Sequence, residues 1–188
     1  MTGDTLTIFE SLFSGRTERN HILAPYTTLK IGGPADLFAE ARTTADLVAY
    51  VTQARKLKIP VFVLGGGSNL LIGDGGFRGL VVRNLTSAIT IRAMKGILRG
   101  GQEMGTVFVE ADGGVPINKL VRFTVEEGFG GLEMHLGLPG TVGGAVYMNS
   151  KWTKPVGYVG DVVYQALILT PHNEEKLVPK SYFHFGYD

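Results

Sequence analysis

The stretch VFVLGGGSNLLI, residues 61–72, decides the fold of this chain. Its first part, Val61–Leu64, is short, apolar and rich in valine, so it predicts a buried β-strand. The strand runs directly into Gly65–Gly67, where consecutive glycines allow positive φ and can turn several N–H groups toward one concavity. Ser68 and Asn69 add side-chain donors. The pattern predicts a nest for phosphate oxygens, and the alternative is a tight strand exit that binds no ligand.

The residues on either side of this stretch complete a small β-α-β-β unit. Ala35–Ala41 has the composition of a strand, and Thr43 can cap a helix that ends at Ile59–Pro60. That helix has one apolar face, formed by Leu47, Val48, Val51, Ala54 and Leu57. Leu80–Arg83 predicts a further strand. Because more glycines interrupt the chain soon after the nest, the G-x-G-x-x-G pattern of a Rossmann site is not present.

A second subdomain follows, and its pattern predicts a mainly antiparallel sheet with flanking helices. Pro116 can occupy the first position of a helix that Gly128 stops. Strand-like pieces lie at Ile89–Ala93, Ile97–Arg99, Thr106–Ala111 and, as the last strand, Val162–Thr170. We therefore expect an α+β protein with a lead segment at 1–20 that includes a short helix, one subdomain at 21–84 and another at 85–188.

A second glycine-rich stretch, GGLEMHLGLPGTVGGAVYMN at residues 130–149, offers another candidate site. Pro139, Gly140 and Thr141 form a predicted turn, and a short helix is expected to begin at Val142. Free N–H groups at the start of that helix would meet a phosphate or a ring carbonyl, and the glycines would let the backbone approach a flat ligand. The alternative is that the glycines serve close packing between a helix and a sheet.

The composition excludes several classes of protein. Lys and Arg number 18 against 17 Asp and Glu, so the formal net charge of +1 argues against a nucleic-acid partner. The chain has no cysteine, which excludes disulfides, thiolate nucleophiles and cysteine-ligated metals. No apolar run has the length of a membrane span, and the N-terminus lacks the pattern of a secretory leader. We therefore expect a cytoplasmic protein without a membrane partner.

The histidines and the serine of the nest argue against two further kinds of active site. The four histidines are scattered singly, so no metal site is expected, although His135 lies inside the second glycine-rich stretch. Ser68 has no neighbouring histidine in the sequence that would activate it. A hydrolase nucleophile is therefore not expected.

Three segments of the chain resemble the UDP-N-acetylenolpyruvoylglucosamine reductase family, the flavoenzymes that reduce an enolpyruvyl ether in peptidoglycan precursor synthesis. The segments are APYTTLKIGGPADL at 24–37, VLGGGSNLLIGDGGFRGLVV at 63–82 and GLEMHLGLPGTVGGAVYMN at 131–149. They occur in the family's order and spacing. The resemblance implies two α+β subdomains of the vanillyl-alcohol-oxidase type, with FAD bound non-covalently between them.

The resemblance also implies which residues contact the cofactor. Gly65–Asn69 would cradle the pyrophosphate, and Leu138–Ala145 would lie along the flavin and its ribityl or phosphate groups. Four residues would lie near the cofactor or support its loop, namely Tyr26, Thr28, Lys30 and Ile31. The full set of expected FAD-binding residues is Leu64, Gly65, Gly66, Gly67, Ser68, Asn69, Leu70, Leu138, Pro139, Gly140, Thr141, Gly143, Gly144 and Ala145.

By the same resemblance, NADPH donates the hydride and the substrate is a UDP-sugar. The family reduces this substrate, the enolpyruvyl ether of UDP-N-acetylglucosamine, to UDP-N-acetylmuramate. Family members have a third domain that binds this substrate and supplies the proton donor, and residues 1–188 contain no counterpart. We therefore expect the chain to be incomplete for catalysis, and no catalytic residue is assigned. The alternatives are another oxidase or dehydrogenase of the same flavin fold and a non-catalytic flavin-binding module.

Two positions depart from the family pattern. Ser150–Lys154 stands where the family commonly has an Ala-Gly-Ala-Tyr-Gly run, so the role of this loop is open. Asp188 stands where the family has an arginine that faces the substrate. Since an acid cannot replace a guanidinium in binding a carboxylate, either other residues bind the substrate or the alignment slips at this position.

Overall fold

The computed structural model describes residues 3–99, 102–154 and 156–186. Over these ranges the chain forms the helices α1 (Gly3–Leu12), α2 (Thr44–Lys56), α3 (Ile117–Glu126), α4 (Val142–Tyr147) and α5 (Val159–Val162). The strands are β1 (Thr17–Ile22), β2 (Pro34–Ala41), β3 (Val61–Leu64), β4 (Phe77–Asn84), β5 (Ile89–Arg99), β6 (Gln102–Ala111), β7 (Lys151–Thr153), β8 (Val156–Tyr158), β9 (Gln165–Leu169) and β10 (Glu175–Pro179). None of the helices in these ranges combines the length and the apolar character needed to cross a bilayer.

The first sheet holds four strands in the order β1-β2-β4-β3. Strand β4 is parallel to both β2 and β3, and β1 is antiparallel to β2. Helix α2 connects β2 to β3 and begins where the sequence predicts, because the Thr43 hydroxyl accepts the N–H of Asp46 at 3.1 Å. The predicted β-α-β-β unit is confirmed. Strand β1 adds an edge that crosses the expected boundary between residues 20 and 21.

This sheet carries an apolar cluster on each face, because alternate residues of a strand point to opposite sides. On one face, Leu80 packs with Tyr50 of α2 and Phe9 of α1, so the predicted lead helix is part of the core. On the other face lies a second cluster of Leu23, Ala35, Phe38, Leu64 and Val81. Leu70 and Ile72, from the loop after β3, pack against this second cluster. The loop after β3 is therefore held against this face of the sheet.

The second part of the chain differs from the single antiparallel sheet that the sequence predicts. Three two-stranded antiparallel ribbons, β5-β6, β7-β8 and β9-β10, take its place in the part of the chain that the structure describes. The predicted pieces Ile89–Ala93 and Ile97–Arg99 belong to one strand, because Gly96 continues the pairing opposite Gly105. The strand predicted at Val162–Thr170 shortens to β9 and is followed by β10, which pairs with it. Glycines within a paired ribbon are tolerated, and they do not mark strand ends here.

Helices α3 and α4 share a third apolar cluster that includes Ile117, Val121, Ala145 and Val159. Helix α3 begins directly after Pro116, which is therefore the N-cap and not the first helical residue. The helix ends before Gly128, whose φ of +77° confirms the predicted stop.

A buried polar connection ties the end of β4 to the second part of the chain. The side-chain oxygen of Asn84 accepts the N–H and the hydroxyl of Thr86 at 3.1 and 2.9 Å. The Thr86 hydroxyl in turn accepts the N–H of Gly114 at 3.2 Å. A Cβ on Gly114 would lie 2.5 Å from the Thr86 carbonyl oxygen, so only glycine fits. This connection positions the turn that precedes α3, and the subdomain boundary at residues 84 and 85 stays a prediction.

Replacing Leu80 with alanine lowers the free energy of unfolding by about 2–5 kcal/mol, because Leu80 is fully buried in an internal strand and its loss leaves a cavity. Urea titration followed by circular dichroism measures the change. Leu71→Ala is the matched control, since Leu71 is 73% exposed and its truncation is expected to change stability by no more than about 0.5 kcal/mol. Equal losses in the two variants would contradict this assignment of the core.

Candidate functional site

The loop after β3 is pressed against the segment that contains Tyr26 and Thr28. A Cβ on Gly67 would collide with the carbonyl oxygen of Tyr26, and the N–H of Thr28 donates to the Gly67 carbonyl at 3.1 Å. Of the three consecutive glycines, all of which the structure describes, Gly67 is the one with positive φ, at +65°. The positive φ expected along Gly65–Gly67 is therefore confined to one residue, where a side chain would be strained and would displace the loop.

The two glycine-rich stretches meet backbone to backbone. A Cβ on Gly65 would lie 2.5 Å from the Thr141 hydroxyl oxygen, and a Cβ on Gly66 would lie 2.8 Å from the Cα of Gly140. Gly140 itself has a φ of +102°, and a Cβ there would lie 2.8 Å from the Ser68 hydroxyl oxygen. These glycines are therefore needed for the contact between the loops. The sequence predicts each loop separately, and the structure joins them into one site.

The first loop presents a row of unpaired backbone donors. In the described ranges, no protein oxygen accepts the N–H groups of Gly66, Gly67, Ser68 and Asn69. Successive N–H groups that lack protein acceptors form a positively polarised surface suited to an anionic oxygen. The arrangement agrees with the nest that the sequence predicts.

The second loop, formed by residues 138–145, does not offer the free N–H groups at a helix start that the sequence predicts. The N–H groups of Val142 and Gly143 donate to the carbonyls of Val115 and Gly113, both at 2.8 Å, and the N–H of Gly144 donates to the Thr141 hydroxyl at 3.4 Å. The prediction was wrong because the turn before α3 supplies acceptors that cannot be recognised from local sequence. In this loop, the N–H groups of Gly140 and Thr141 are the ones without a described protein acceptor.

A cleft of about 200 Å³ opens beside the first loop. It is lined by the segment Pro25–Thr28 together with Lys30, Gly65, Gly66 and Arg83. Tyr26, Thr28 and Lys30 thus lie where the resemblance places them, next to the loop. Ile31 is not among the lining residues, and its backbone N–H and carbonyl both bond to the Thr27 hydroxyl, at 3.2 and 2.9 Å. It therefore supports the segment instead of lining the cleft.

Arg83 is a cleft residue that the sequence analysis did not identify. Its guanidinium donates to Glu40 at 3.0 Å and lies 4.8 Å from the centre of the Tyr26 ring. Lys30 supplies a second cation, and its Nζ donates to the Pro25 carbonyl at 2.9 Å. Because β4 is parallel to β3, the carboxyl ends of both strands meet at the same edge of the sheet, where open α/β sheets bind ligands. Arg83, one residue before the end of β4, could have been found by that rule.

Several of the expected cofactor-binding residues hold the loops in place by packing. Leu64 is completely buried, and Leu70 packs against the same cluster. Ala145 belongs to the third cluster, against which Leu138 packs. The more accessible members are Gly66, Asn69, Pro139, Gly143 and Gly144, which are all exposed.

The Ser150–Lys154 loop contains β7, which pairs with β8. The indole N–H of Trp152 donates to the Lys154 carbonyl at 3.1 Å. A Cβ built on Gly137 would lie 3.8 Å from the Trp152 ring, so this segment borders the second glycine-rich stretch. Asp188, the other departure from the family pattern, lies outside the described residues.

His135 is a packing residue of the second stretch. Its side chain is 1% exposed, and its Nδ1 has no hydrogen-bond partner in the described part of the chain. Burial lowers the pKa of His135 below its ordinary value, and the negative charge of Asp161 opposes this effect. The ring is therefore held in its neutral form.

A family model described as an FAD binding domain matches residues 35–175 of the chain. The chain belongs to this family. FAD is accordingly the cofactor of the domain, and this prediction from the sequence is confirmed.

The relatives of this FAD-binding domain include UDP-N-acetylenolpyruvoylglucosamine reductases. The UDP-N-acetylenolpyruvoylglucosamine reductase of Desulforamulus reducens is 34% identical over 178 residues, which are 95% of this chain and 54% of the relative. The UDP-N-acetylenolpyruvylglucosamine reductase from Thermus caldophilus superposes with a TM-score of 0.70 at 29% identity and covers 92% of this chain and 55% of that chain. The resemblance stated from three sequence segments is confirmed. The FAD-binding domain spans about half the length of these relatives.

The predicted fold type is confirmed by a more distant structure. A VAO-type flavoprotein from Myceliophthora thermophila superposes on the FAD-binding domain with a TM-score of 0.63 at 13% identity, covering 94% of this chain and 42% of that chain. At this identity the two proteins share the fold.

The free energy of unfolding is expected to fall as the pH is lowered through about 6.5 and below, the ordinary titration range of histidine. Because the folded-state pKa of His135 is lowered, the unfolded chain binds the proton more readily, and the stability present above this range is lost as the ring is forced to protonate. Urea midpoints measured between pH 5 and pH 8 test this. His135→Leu should flatten the dependence, whereas the exposed His172→Leu should retain it. An unchanged slope in His135→Leu would contradict the assignment.

Proposed function

We propose that this chain is the FAD-binding part of a UDP-N-acetylenolpyruvoylglucosamine reductase that acts in peptidoglycan synthesis. The observation that carries the proposal is the 34% identity over 178 residues with the Desulforamulus reducens reductase. Because that match covers 95% of the chain, it includes both glycine loops and the cleft between β3 and the Tyr26 segment. The aligned region therefore contains the proposed site.

In this proposal the first loop holds the FAD pyrophosphate, with FAD bound non-covalently. The residues fit this group, because in the described part of the chain Gly66–Asn69 offers a row of N–H groups without protein acceptors. Lys30 and Arg83 supply positive charge at the neighbouring cleft. Ser68 and Asn69 can add side-chain donors, while Leu64 and Leu70 anchor the loop in the core.

The second loop is proposed to lie along the flavin. Gly144 is exposed on α4 and offers bare backbone against which a flat ring can pack. A Cβ on the neighbouring Gly143 would lie 3.0 Å from the Gly113 carbonyl oxygen, so this glycine also serves close packing against the turn before α3. The N–H groups of Gly140 and Thr141 are the donors that this loop has available, while Pro139 shapes the turn and Leu138 and Ala145 hold it to the third cluster. The subdomains at 21–84 and 85–188 would each contribute one loop to the cofactor.

When bound, FAD supplies the redox chemistry by which NADPH reduces the enolpyruvyl ether of UDP-N-acetylglucosamine to UDP-N-acetylmuramate. The residues of this chain bind and orient the cofactor through fixed backbone donors, which lose little freedom when the ligand arrives. The UDP-sugar site and the proton donor are assigned to the half of the relatives' length that this chain does not match. A cytoplasmic location follows from this nucleotide-sugar substrate.

The first test of the proposal is FAD binding. The purified chain is expected to be yellow and to release intact FAD on acid precipitation. Gly66→Ala should weaken FAD binding by about 10-fold or more, equivalent to about 1.4 kcal/mol, because the new Cβ would lie 2.8 Å from the Gly140 Cα and would separate the loops.

Gly75→Ala is the matched control for this variant. Gly75 lies in the same connection between β3 and β4, and a Cβ there would meet nothing within 4 Å. Its FAD affinity, measured by quenching of flavin fluorescence, should equal that of the wild type. Wild-type affinity in Gly66→Ala, or a colourless wild-type protein that takes up no FAD, would contradict the proposed site.

The second test is turnover. With FAD, NADPH and the enolpyruvyl ether, residues 1–188 alone are expected to be at least about 10²-fold slower than the Desulforamulus reducens reductase, because a proton donor typically contributes 10²–10⁴ in rate. NADPH oxidation followed by absorbance provides the measurement. Comparable turnover would show that this half already contains the substrate site. FAD binding without any reduction by NADPH would instead favour a non-catalytic flavin-binding module.

A further inference from the structure

Three side chains form a hydrogen-bonded chain behind the cleft. His21 of β1 places its Nδ1 2.7 Å from a carboxylate oxygen of Glu18 and its Nε2 2.8 Å from the hydroxyl oxygen of Tyr26. The imidazole ring is stacked on Phe38 with the ring centres 4.1 Å apart and an angle of 11° between the planes. Both nitrogens of His21 are therefore engaged, and the ring is held in one orientation.

Tyr26 connects this chain to the first glycine loop. Tyr26 is one of the residues that line the cleft, and its carbonyl oxygen lies against Gly67, where a Cβ would collide with it. Two residues further on, the N–H of Thr28 donates to the Gly67 carbonyl. Any change in the position or hydrogen bonding of Tyr26 therefore reaches both the wall of the cleft and the loop.

The protonation state of His21 sets the direction of the bond to Tyr26. Because Nδ1 faces a carboxylate, it carries a hydrogen, and in the neutral ring Nε2 is then an acceptor that receives the Tyr26 O–H. In the protonated ring both nitrogens donate, so the Tyr26 oxygen becomes the acceptor. The Tyr26 hydroxyl hydrogen is then released and can donate to another group.

Two carboxylates on β2, the strand that pairs with β1, are engaged by arginines. On β2, Asp36 binds Arg78 at 2.9 Å and Glu40 binds Arg83 at 3.0 Å. Glu18 is therefore the carboxylate that hydrogen-bonds to His21 within the described part of the chain. The positive charge of a protonated His21 is balanced by Glu18 on one side, and on the other side Nε2–H donates to the Tyr26 oxygen.

We propose that Glu18, His21 and Tyr26 form a proton-controlled positioning network for FAD, in which protonation of His21 strengthens binding. The inference rests on the proposed placement of the FAD pyrophosphate at the first loop. Protonation adds one positive charge behind the cleft and frees the Tyr26 hydroxyl to donate to an anionic oxygen. His21 acts through Tyr26 and is a positioning residue.

The experiment is a titration of the apo chain with FAD at pH 5.5 and at pH 8.0, followed by flavin fluorescence. Neither the pyrophosphate nor the flavin ring changes charge between these values, so the protein determines any difference. Wild-type protein is expected to bind FAD several-fold more tightly at pH 5.5, on the order of 3- to 10-fold, as expected for one charge-assisted hydrogen bond in partly solvated surroundings.

Two variants separate the network from a structural role. His21→Gln should lose the tighter binding at pH 5.5, so its change in FAD affinity between the two pH values should be smaller than that of the wild type by the factor that the network supplies. Tyr26→Phe keeps the ring that packs beside Phe38 and Arg83 but lacks the hydroxyl, so it should lose most of the dependence. His172→Gln, an exposed histidine in the turn between β9 and β10, is the control and should retain it.

Each outcome decides the proposal. Equal wild-type affinity at the two pH values, or an unchanged dependence in His21→Gln, overturns the network while FAD binding stands. Absence of FAD binding at both pH values overturns the proposed site together with the network. Thermal unfolding midpoints of all four proteins, recorded in the same buffers, identify any variant that has lost its fold. If His21→Gln is unfolded, the pH dependence of Tyr26→Phe decides the proposal, because this variant lacks only one oxygen atom. The titration of His135 is common to all four proteins and cancels in the comparison.

Discussion

The site depends on the approach of two backbones at Gly66 and Gly140, which are too close for any side chain between them. A Cβ on Gly66 would lie 2.8 Å from the Gly140 Cα, a separation that real Cβ atoms do not tolerate. This single constraint joins the end of β3 to the loop before α4. The neighbouring glycines at 65 and 67 serve the same assembly, one against Thr141 and the other against Tyr26.

The hydrogen bonds around this contact are divided unequally between the two loops. The second loop has fewer available donors, because the first-turn N–H groups of α4 are bound by Val115, Gly113 and Thr141. The turn before α3, which supplies the Val115 and Gly113 carbonyls, is itself held by the buried hydrogen bonds among Asn84, Thr86 and Gly114. The first loop keeps its donors free. A loop that is hydrogen-bonded to the turn before α3 therefore positions a neighbour whose donors are available to an anion, which is the arrangement that a preorganised phosphate site requires.

Electrostatics complement this backbone arrangement from one side. Arg83, Lys30 and the Tyr26 ring border the cleft, and Arg83 shares its charge with Glu40. The Glu18–His21–Tyr26 network lies behind that wall, so the first sheet supplies the polar and charged groups beside the cleft as well as the support for the loop. Strand β1, which carries Glu18 and His21, therefore matters to the proposed site.

The sequence by itself determined the elements whose causes are local. Helix α2 begins at its Thr43 cap, β3 runs into the glycines, and the β-α-β-β unit follows from periodicity. The family motifs identified the cofactor, and the loop residues that contact it stay a prediction. Tertiary structure decided what depends on partners far along the chain. It placed the positive φ on Gly67 and supplied the Val115 and Gly113 carbonyls that accept the first N–H groups of α4. It also brought Arg83 to the cleft and included Gly96 within a strand. The physical reason is that hydrogen-bond acceptors and close contacts are set by packing between distant segments, whereas propensity and spacing report only on neighbours in sequence.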